Sequence, residues 1–307
     1  MIDILLATFN GDKYLNNLLK SIFNNQSSDD LNVIICDDGS DDNTLSLIDN
    51  FVNSYQVRLI NLIGFNKGVI SNFSGLIQHS NSRLTFFCDQ DDVWLPHKIE
   101  TSLKKMQEIE AQYGQQTPIL VHTDLTVVDQ DLNLIHPSFR QYQNLDPHPP
   151  KLLPRLLVQN FVTGCTMLIN KPLKDLITPI PPEAIMHDWW IALTAAAFGK
   201  IAYIPEPTVL YRQHQQNSIG ARKWGINYIL SRLNNLEKIR KDIQKTIIQA
   251  QKFREIFKDQ LTPEQLDIID TYIDLPNQPW LTRKYLMIDR GYYQLGKLKN
   301  LGFLYCI

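Results

Sequence analysis

The sequence predicts an α/β protein, a mostly parallel sheet flanked by helices and followed by a helical C-terminal extension. Three observations predict it. Over roughly the first 115 residues, short apolar runs alternate with amphipathic stretches of about ten to fifteen residues, the pattern of βαβ units. The early apolar runs stop at polar or acidic clusters, as strands do when their C-terminal ends open onto a binding crevice. From Trp224 onward the alternation gives way to long helical stretches of mixed charge.

Each element follows from local pattern. Residues 2–7 form an apolar strand, broken by Thr8-Phe9-Asn10-Gly11. Apolar residues at 14, 15, 18, 19, 22 and 23 make a helical stripe. Residues 32–36 are a second strand, ending in Asp37-Asp38-Gly39-Ser40-Asp41-Asp42. A helix over 44–55 places Leu45, Ile48 and Val52 on one face, and 57–62 is a third strand. Gly64-Phe65-Asn66-Lys67-Gly68 turns into a helix over 69–80. The strand 84–88 runs into three carboxylates within four residues, Asp89, Asp91 and Asp92. After Pro96, the spacing of Ile99, Leu103, Met106, Ile109 and Tyr113 predicts a helix that Gly114 ends. Residues 118–139 read as strand with an acidic interruption at 124–131, and the Pro-rich stretch 140–155 as a loop. A strand over 160–170 carries Gly164 where something approaches closely. Residues 179–182 read as a loop. A helix over 186–198 opens with His187-Asp188-Trp189-Trp190, and two short strands, 200–204 and 208–211, flank a Pro-Glu-Pro turn. Helices are expected over about 226–258 and 263–274, and 284–307 mixes basic with aromatic and aliphatic residues.

At 307 residues the chain has volume for one large domain or two small ones. Net charge is −2, which gives no reason to expect nucleic acid as a partner. The charge is divided, however. Residues 1–221 carry 15 Lys and Arg against 23 Asp and Glu, and residues 222–307 carry 15 against 9. Cys36, Cys88, Cys165 and Cys306 are widely spaced without a CxxC, so reduced thiols in a cytosolic protein are expected rather than disulfides or zinc. Residues 2–7 lack the basic flank and length of a signal peptide, and no run reaches the ~20 apolar residues of a membrane span.

The chemistry concentrates at strand ends. Crowded carboxylates at Asp89, Asp91 and Asp92 need a proton or a cation once desolvated, and a hard divalent metal sits naturally between carboxylates and a diphosphate. The alternative is a solvated acidic turn capping the next helix. Asp37, Asp38 and Gly39 suit hydrogen bonds to a base or ribose, while Ser40, Asp41 and Asp42 equally suit a helix N-cap. Asp188 is either a general base for a hydroxyl nucleophile or a helix-dipole partner. Trp189 and Trp190 are either a stacking wall for a sugar or core. Arg212 can bind phosphate, and His214 can ligate metal or contact diphosphate. No GxxxxGK[ST] and no GxGxxG is present, so a diphosphate here would rely on metal and basic side chains.

Together, Ala7-Thr8-Phe9-Asn10-Gly11, Asp37 to Asp42, Asn66-Lys67-Gly68, Asp89-Gln90-Asp91-Asp92, His187-Asp188-Trp189-Trp190 and Tyr211-Arg212-Gln213-His214 resemble, in this order, the inverting GT-A glycosyltransferases of family 2. The resemblance covers residues 1–221, with a nucleotide-sugar half at about 1–115 and an acceptor half at about 116–221. It implies a donor site of Ala7, Thr8, Phe9, Asn10, Asp37, Asp38, Asn66, Lys67, Gly68, Asp89 and Asp91. It further implies Mn²⁺ or Mg²⁺ on Asp92, Asp91 and His214, and Asp188 as catalytic base. Gly164, His187, Trp189, Trp190 and Arg212 fall on the acceptor side. Phe9 stands where the family commonly has Tyr, which keeps stacking and loses a phenolic hydrogen bond. The His-Asp-Trp-Trp and Tyr-Arg-Gln-His pieces look most like bacterial rhamnosyltransferase-like members that build surface polysaccharide. The implied partners are therefore a UDP- or dTDP-sugar, with dTDP-L-rhamnose as the named candidate, and a saccharide or lipid-linked saccharide acceptor. The implied reaction is a single in-line displacement, with residues 140–155 as a closing segment.

Two other readings compete. A nucleotidyltransferase would want a glycine- and Lys/Arg-rich loop after the first strand, which Thr8-Phe9-Asn10-Gly11-Asp12-Lys13 matches poorly. A nucleotide-sugar-binding scaffold without turnover would not need Asp91, Asp92 and Asp188. The segment 222–307 is either a helical cap or oligomer contact, or a basic, aromatic surface that docks peripherally on anionic lipid at the inner face of the membrane.

Overall fold

The computed structural model describes residues 1–25, 31–52, 57–60 (as backbone), 68–145, 151–214 and 236–294, with Asn300, Phe303 and Ile307. Asn66 and Lys67, the end of the strand expected over 57–62, and the start of the helix expected over 226–258 lie outside these residues. The chain divides into two compact units. The first comprises residues 1–139, 162–180 and 186–221, and the second 140–161, 181–185 and 222–307.

The first unit holds a nine-stranded sheet in the order β3-β2-β1-β4-β8-β6-β9-β5, with β7 beside β6. Its strands are β1 (Ile2–Thr8), β2 (Leu31–Asp37), β3 (Val57–Ile60), β4 (Leu84–Asp89), β5 (Val93–Trp94), β6 (Ile119–Val128), β7 (Leu134–His136), β8 (Leu168–Asn170) and β9 (Lys200–Arg212). The half from β3 to β4 is parallel. Beyond β4 the sheet is mixed: β8 runs antiparallel to β4 and β6, and β6 and β9 are parallel. Helices α1 (Asp12–Phe23), α2 (Thr44–Val52), α3 (Val69–His79) and α4 (Lys98–Tyr113) alternate with the early strands. The α1 stripe has the expected period: Leu15, Leu18, Leu19 and Ile22 are wholly buried and pack with Ile4, Leu6, Val33, Ile35 and Phe86. Each such side chain contributes about 1.5–3 kcal/mol relative to exposure.

Four expectations change in the second half of the chain. Residues 124–131 do not interrupt β6 at their start, because buried Asp124 is satisfied by the Leu125 N–H and the Ser138 hydroxyl. The two short strands around Pro-Glu-Pro are one strand, β9; its register against β6 jumps from Thr123↔Ile204 to Asp124↔Pro207, so the turn is absorbed as a bulge where proline needs no ladder partner. Residues 160–170 are strand only at the end. Gly164–Thr166 form a 3-10 turn that the Thr166 hydroxyl closes on the Thr163 carbonyl. Residues 140–155 are not a loop throughout: α5 (Phe139–Gln143) and α6 (Leu152–Val158) fall there. Pro154 lies in the first turn of α6, where a missing N–H costs nothing, and Leu153, Leu156 and Leu157 form a buried face. α7 (Lys171–Leu176) and α8 (His187–Phe198) complete the first unit.

The second unit is helical. α6 packs against α9 (Leu236–Phe257) and α10 (Pro263–Asp274). α9 buries Ile239, Ile243, Ile247, Ala250, Phe253 and Phe257 on one face. Thr262 caps α10 through a reciprocal capping box with Gln265. α11 (Trp280–Arg290) buries only Met287 and ends at left-handed Gly291. Among the described residues, no helix is long and apolar enough to cross a membrane.

Candidate active site

Strand register brings the three polar clusters to one sheet edge. Ala7 pairs with both Cys36 and Asp89, and Thr8 pairs with Asp37. The turns that follow are therefore neighbours although they lie up to about eighty residues apart in sequence.

The first two turns are knitted together. Asp37 accepts from the Thr8 hydroxyl at 2.7 Å, the Ser40 hydroxyl at 2.7 Å and the Gly39 and Ser40 N–H groups at 3.0 and 2.7 Å. Its carboxylate thus shapes the loop that follows β2. Asn10, in the left-handed region at φ 48°, accepts from the Asp41 N–H, and its own N–H donates to Ser40 Oγ. Asp38 donates its N–H to the Thr8 carbonyl and accepts from the Gly68 N–H at 3.0 Å. Ala7 is partly buried, and Phe9 is 48 % exposed beside these turns.

The acidic turn after β4 separates its carboxylates into two environments. Asp92 is wholly buried, and its Oδ1 accepts the Arg212 N–H at 3.1 Å. Burial, then Asp91 and Asp89, hold its carboxyl well above the usual range. Asp89 is pushed up to about 7 by burial first, then by Asp91 and Asp188. Cys165 lies against both, with a ligand atom of each of the three within 4.8 Å of the others, and burial raises its thiol. Lys98, also fully buried, donates to the Cys165 carbonyl at 3.1 Å and sits 4.8 Å from the Trp94 ring centroid; burial pushes it down to about 8. Asp91 is different. Its Oδ2 meets His214 Nε2 at 2.7 Å, with both side chains reaching solvent.

His214 is held by Tyr14, whose ring lies 4.9 Å away, centroid to centroid, tilted by 32°. The Arg212 guanidinium stacks at 4.5 Å over the same Tyr14 ring and donates to the Asp91 and Gln130 carbonyls. Arg212 is 2 % exposed. It was expected on the acceptor side, and is instead the internal brace of the Asp91–His214 pair.

Asp188 sits in the first turn of α8, where the helix dipole favours a carboxylate. It accepts the Gly164 N–H at 3.1 Å and is close enough to Asp89 to raise that group. Two other residues expected on the acceptor side point inward. His187 is buried, stacked 3.8 Å from the Phe73 ring, and pushed down to about 3, so it is neutral. Trp190 is 1 % exposed and belongs to the core. Trp189 is partly exposed. Gly164 has a packing reason: a Cβ there would lie 2.9 Å from His187 Nε2.

Three residues that contact the site escaped the sequence reading. Tyr14 looked like one more residue of the α1 stripe. Lys98 shares the buried face of α4 with Ser102 and Met106, and a lysine in phase with core positions is the signal that pointed to it. Gln90, the only uncharged residue in the run from Asp89 to Asp92, pairs with the Phe9 backbone.

The donor sets differ in their fit to a divalent metal. Asp91 and His214 offer oxygen and nitrogen at an accessible position. Asp92 and Cys165 are enclosed and Asp89 only partly so, and a thiol is a poor partner for a hard cation. A carboxylate–imidazole pair beside raised carboxyls suits Mn²⁺, which accepts nitrogen more readily than Mg²⁺ does.

The family model "Glycosyl transferase family 2" matches residues 3–176. The chain is 29% identical over 229 residues to the dTDP-rhamnosyl transferase RfbG of Shigella flexneri, covering 70% of this chain and 74% of that protein. Its structure is similar to that of S. aureus TarS residues 1–349 in complex with UDP-GlcNAc, with a TM-score of 0.55 and 14% identity over 95% of this chain and 89% of that one. The mannosyltransferase PcManGT of Pyrobaculum calidifontis, in complex with GDP-Man and Mn²⁺, matches with a TM-score of 0.55 and 13% identity over 99% and 83%. These neighbours are GT-A glycosyltransferases, and the mixed sheet flanked by helices is that fold. The chain belongs to glycosyl transferase family 2 and is a GT-A glycosyltransferase that takes its sugar from a nucleotide-sugar donor.

Proposed function

We propose that the protein is a metal-dependent, inverting glycosyltransferase that moves a single sugar, L-rhamnose from dTDP-L-rhamnose, onto a saccharide hydroxyl during assembly of a cell-surface polysaccharide. The observation that carries the reading is the juxtaposition at one sheet edge of an exposed aromatic ring at Phe9, the Asp91–His214 pair and Asp188. The choice of rhamnose rests on the similarity to a protein named as a dTDP-rhamnosyl transferase.

Each residue then has a task. Phe9 stacks on the base, and Asp38, held through Thr8 and Gly68, takes the ribose. Asp91 and His214 would hold the divalent metal, Mn²⁺ on this donor set, and the metal would supply positive charge to offset that on the leaving diphosphate. Asp89 and Asp92 adjoin this pair with carboxyls raised by burial, and a cation held there would favour their ionised forms. Asp188 takes the proton of the acceptor hydroxyl as that oxygen bonds to the anomeric carbon. The bond from the anomeric carbon to the diphosphate oxygen breaks, and the nucleoside diphosphate leaves. One in-line displacement inverts the anomeric centre. Residues 140–155, the segment that would close over the pocket, include parts of α5 and α6.

The second unit supports a peripheral contact with the inner face of the plasma membrane. On α11, Leu281, Tyr285 and Ile288 recur at helical spacing and are exposed together with Trp280, whose ring carries Lys284 at 4.7 Å. Failure of the full chain to bind anionic vesicles would remove this part of the reading.

The test is turnover. Purified protein is supplied with dTDP-L-rhamnose and other nucleotide sugars, Mn²⁺, and saccharide acceptors, and the released nucleotide is identified. Release of nucleoside diphosphate, abolished in Asp188→Asn, is expected. Release of pyrophosphate would favour a nucleotidyltransferase, and donor binding without turnover on any acceptor would favour a scaffold.

A further inference from the structure

Gln90 sits in the middle of the acidic turn, between Asp89 and Asp91. Its side chain crosses to the turn after β1 and pairs with both backbone groups of one residue. The Phe9 N–H donates to Gln90 Oε1 at 2.9 Å, and Gln90 Nε2 donates to the Phe9 carbonyl at 2.8 Å. A primary amide is the side-chain group that can do this, since it offers one donor and one acceptor side by side. A glutamate would face the Phe9 carbonyl with a second acceptor. This explains why the run Asp89-Gln90-Asp91-Asp92 breaks its acidity at that position.

Gly11 makes room for the reach. A Cβ at Gly11 would lie 2.3 Å from Gln90 Oε1 and 2.7 Å from its Cδ. Gly11 has φ −107°, open to any residue, so the glycine is required by space rather than by backbone conformation. The next N–H groups of the same turn are tied elsewhere, Asn10 to Ser40 Oγ and Gly11 to Thr44 Oγ1. Gln90 is therefore the link from the Phe9 backbone to the turn that carries Asp91.

We propose that Gln90 is a positioning residue that locks the Phe9 platform to the Asp91 turn, so that nucleoside recognition and metal–diphosphate binding act as one coupled event. The inference rests on the donor site proposed above and adds a thermodynamic property to it. A rigid link fixes the span between a stacked base and the cation on the diphosphate. A ligand that satisfies one end then pre-places the other, and the coupling is reciprocal. Without the link the tips of the two turns are joined only through the Ala7–Asp89 pairing of their strands, and the coupling between the two ends weakens.

The test is a double-mutant cycle read by calorimetry. Affinities for UDP and dTDP are measured with and without Mn²⁺ on wild type, Gln90→Ala, Gly11→Ala and the double variant, alongside Tm. In wild type, Mn²⁺ should raise nucleotide affinity. Gln90→Ala should weaken nucleotide binding in Mn²⁺ by about 5- to 30-fold, the loss of two neutral hydrogen bonds, and should shrink the enhancement by Mn²⁺ toward unity. Gly11→Ala should do the same, because its methyl group displaces the flexible end of Gln90. The double variant should be no worse than either single one. A general packing defect would instead lower affinity with and without Mn²⁺ alike and would add across the two sites. If wild type binds nucleotide and Gln90→Ala keeps its affinity and its Mn²⁺ enhancement, or if the two variants add, the proposal is overturned while the donor site stands. If wild type binds neither nucleotide under either condition, the donor site falls and takes the proposal with it.

Discussion

The Asp89→Asn substitution should make the metal-free protein more stable. Asp89 has an unperturbed carboxyl value of 3.8 and is held at about 7 in the folded chain, chiefly by burial and then by Asp91 and Asp188. The raised value means that the native state binds this proton more tightly than the unfolded chain does. Its contribution is therefore fully present below the unfolded value and is lost as pH rises through the folded one. Holding the carboxyl at about 7 instead of 3.8 corresponds to a ceiling of about 4 kcal/mol, and relaxation and water access reduce this to about 1–3 kcal/mol. Asparagine keeps the shape and removes the charge. Urea unfolding in the presence of a chelator should give a stability gain for Asp89→Asn of about 1–3 kcal/mol at about pH 8, shrinking toward zero at about pH 4. Saturating Mn²⁺ should stabilise wild type and erase the gain, because bound cation relieves the repulsion that the substitution removes. A variant that is no more stable than wild type at about pH 8, or whose gain does not depend on pH, would refute the electrostatic account of this turn.

Other substitutions separate scaffold from chemistry. Asp188→Asn should lower kcat by about 10²–10⁴-fold while leaving dTDP affinity in Mn²⁺ unchanged, as measured by steady-state kinetics and calorimetry. Trp190→Ala should cost about 3–5 kcal/mol in urea unfolding, since the ring is enclosed in the core; Trp189→Ala should cost much less. Gly164→Ala places a methyl group against His187 Nε2 and should cost about 1–3 kcal/mol while disturbing the hydrogen bond that aims Asp188, so kcat should fall with it.

The sequence carried the first half of the fold well and the second half less well, for a physical reason. β1, β2 and β4 are continuous apolar runs between amphipathic helices, so period and length alone identify them. From residue 118 onward, local pattern competes with tertiary context. A bulge absorbs Pro-Glu-Pro within β9, Asp124 is paid for by Ser138 and its own neighbour's N–H, and Pro154 opens a helix instead of ending one. The candidate site behaves likewise. That Asp91, Asp188 and Phe9 share one region follows from strand ends, which can be read from the sequence. Which carboxylate faces solvent and which is buried depends on β9 returning beside β5, and no pattern within the acidic turn distinguishes Asp91 from Asp92. Arg212 and His187 look functional by type, yet one braces a turn and the other fills the core. Gln90 looked like the variable residue of its motif, and its role emerges only when Gly11 is seen beneath it.

The most direct test of the central claim is thermal stabilisation by a panel of nucleoside diphosphates and nucleotide sugars, with and without Mn²⁺, on wild type, Asp91→Ala and His214→Ala. The account predicts a rise in Tm with a thymidine or uridine diphosphate that requires Mn²⁺ and is lost in both variants. A rise that is indifferent to Mn²⁺ and survives in both variants, or no rise with any nucleotide, would contradict a metal-dependent nucleotide-sugar site at this sheet edge.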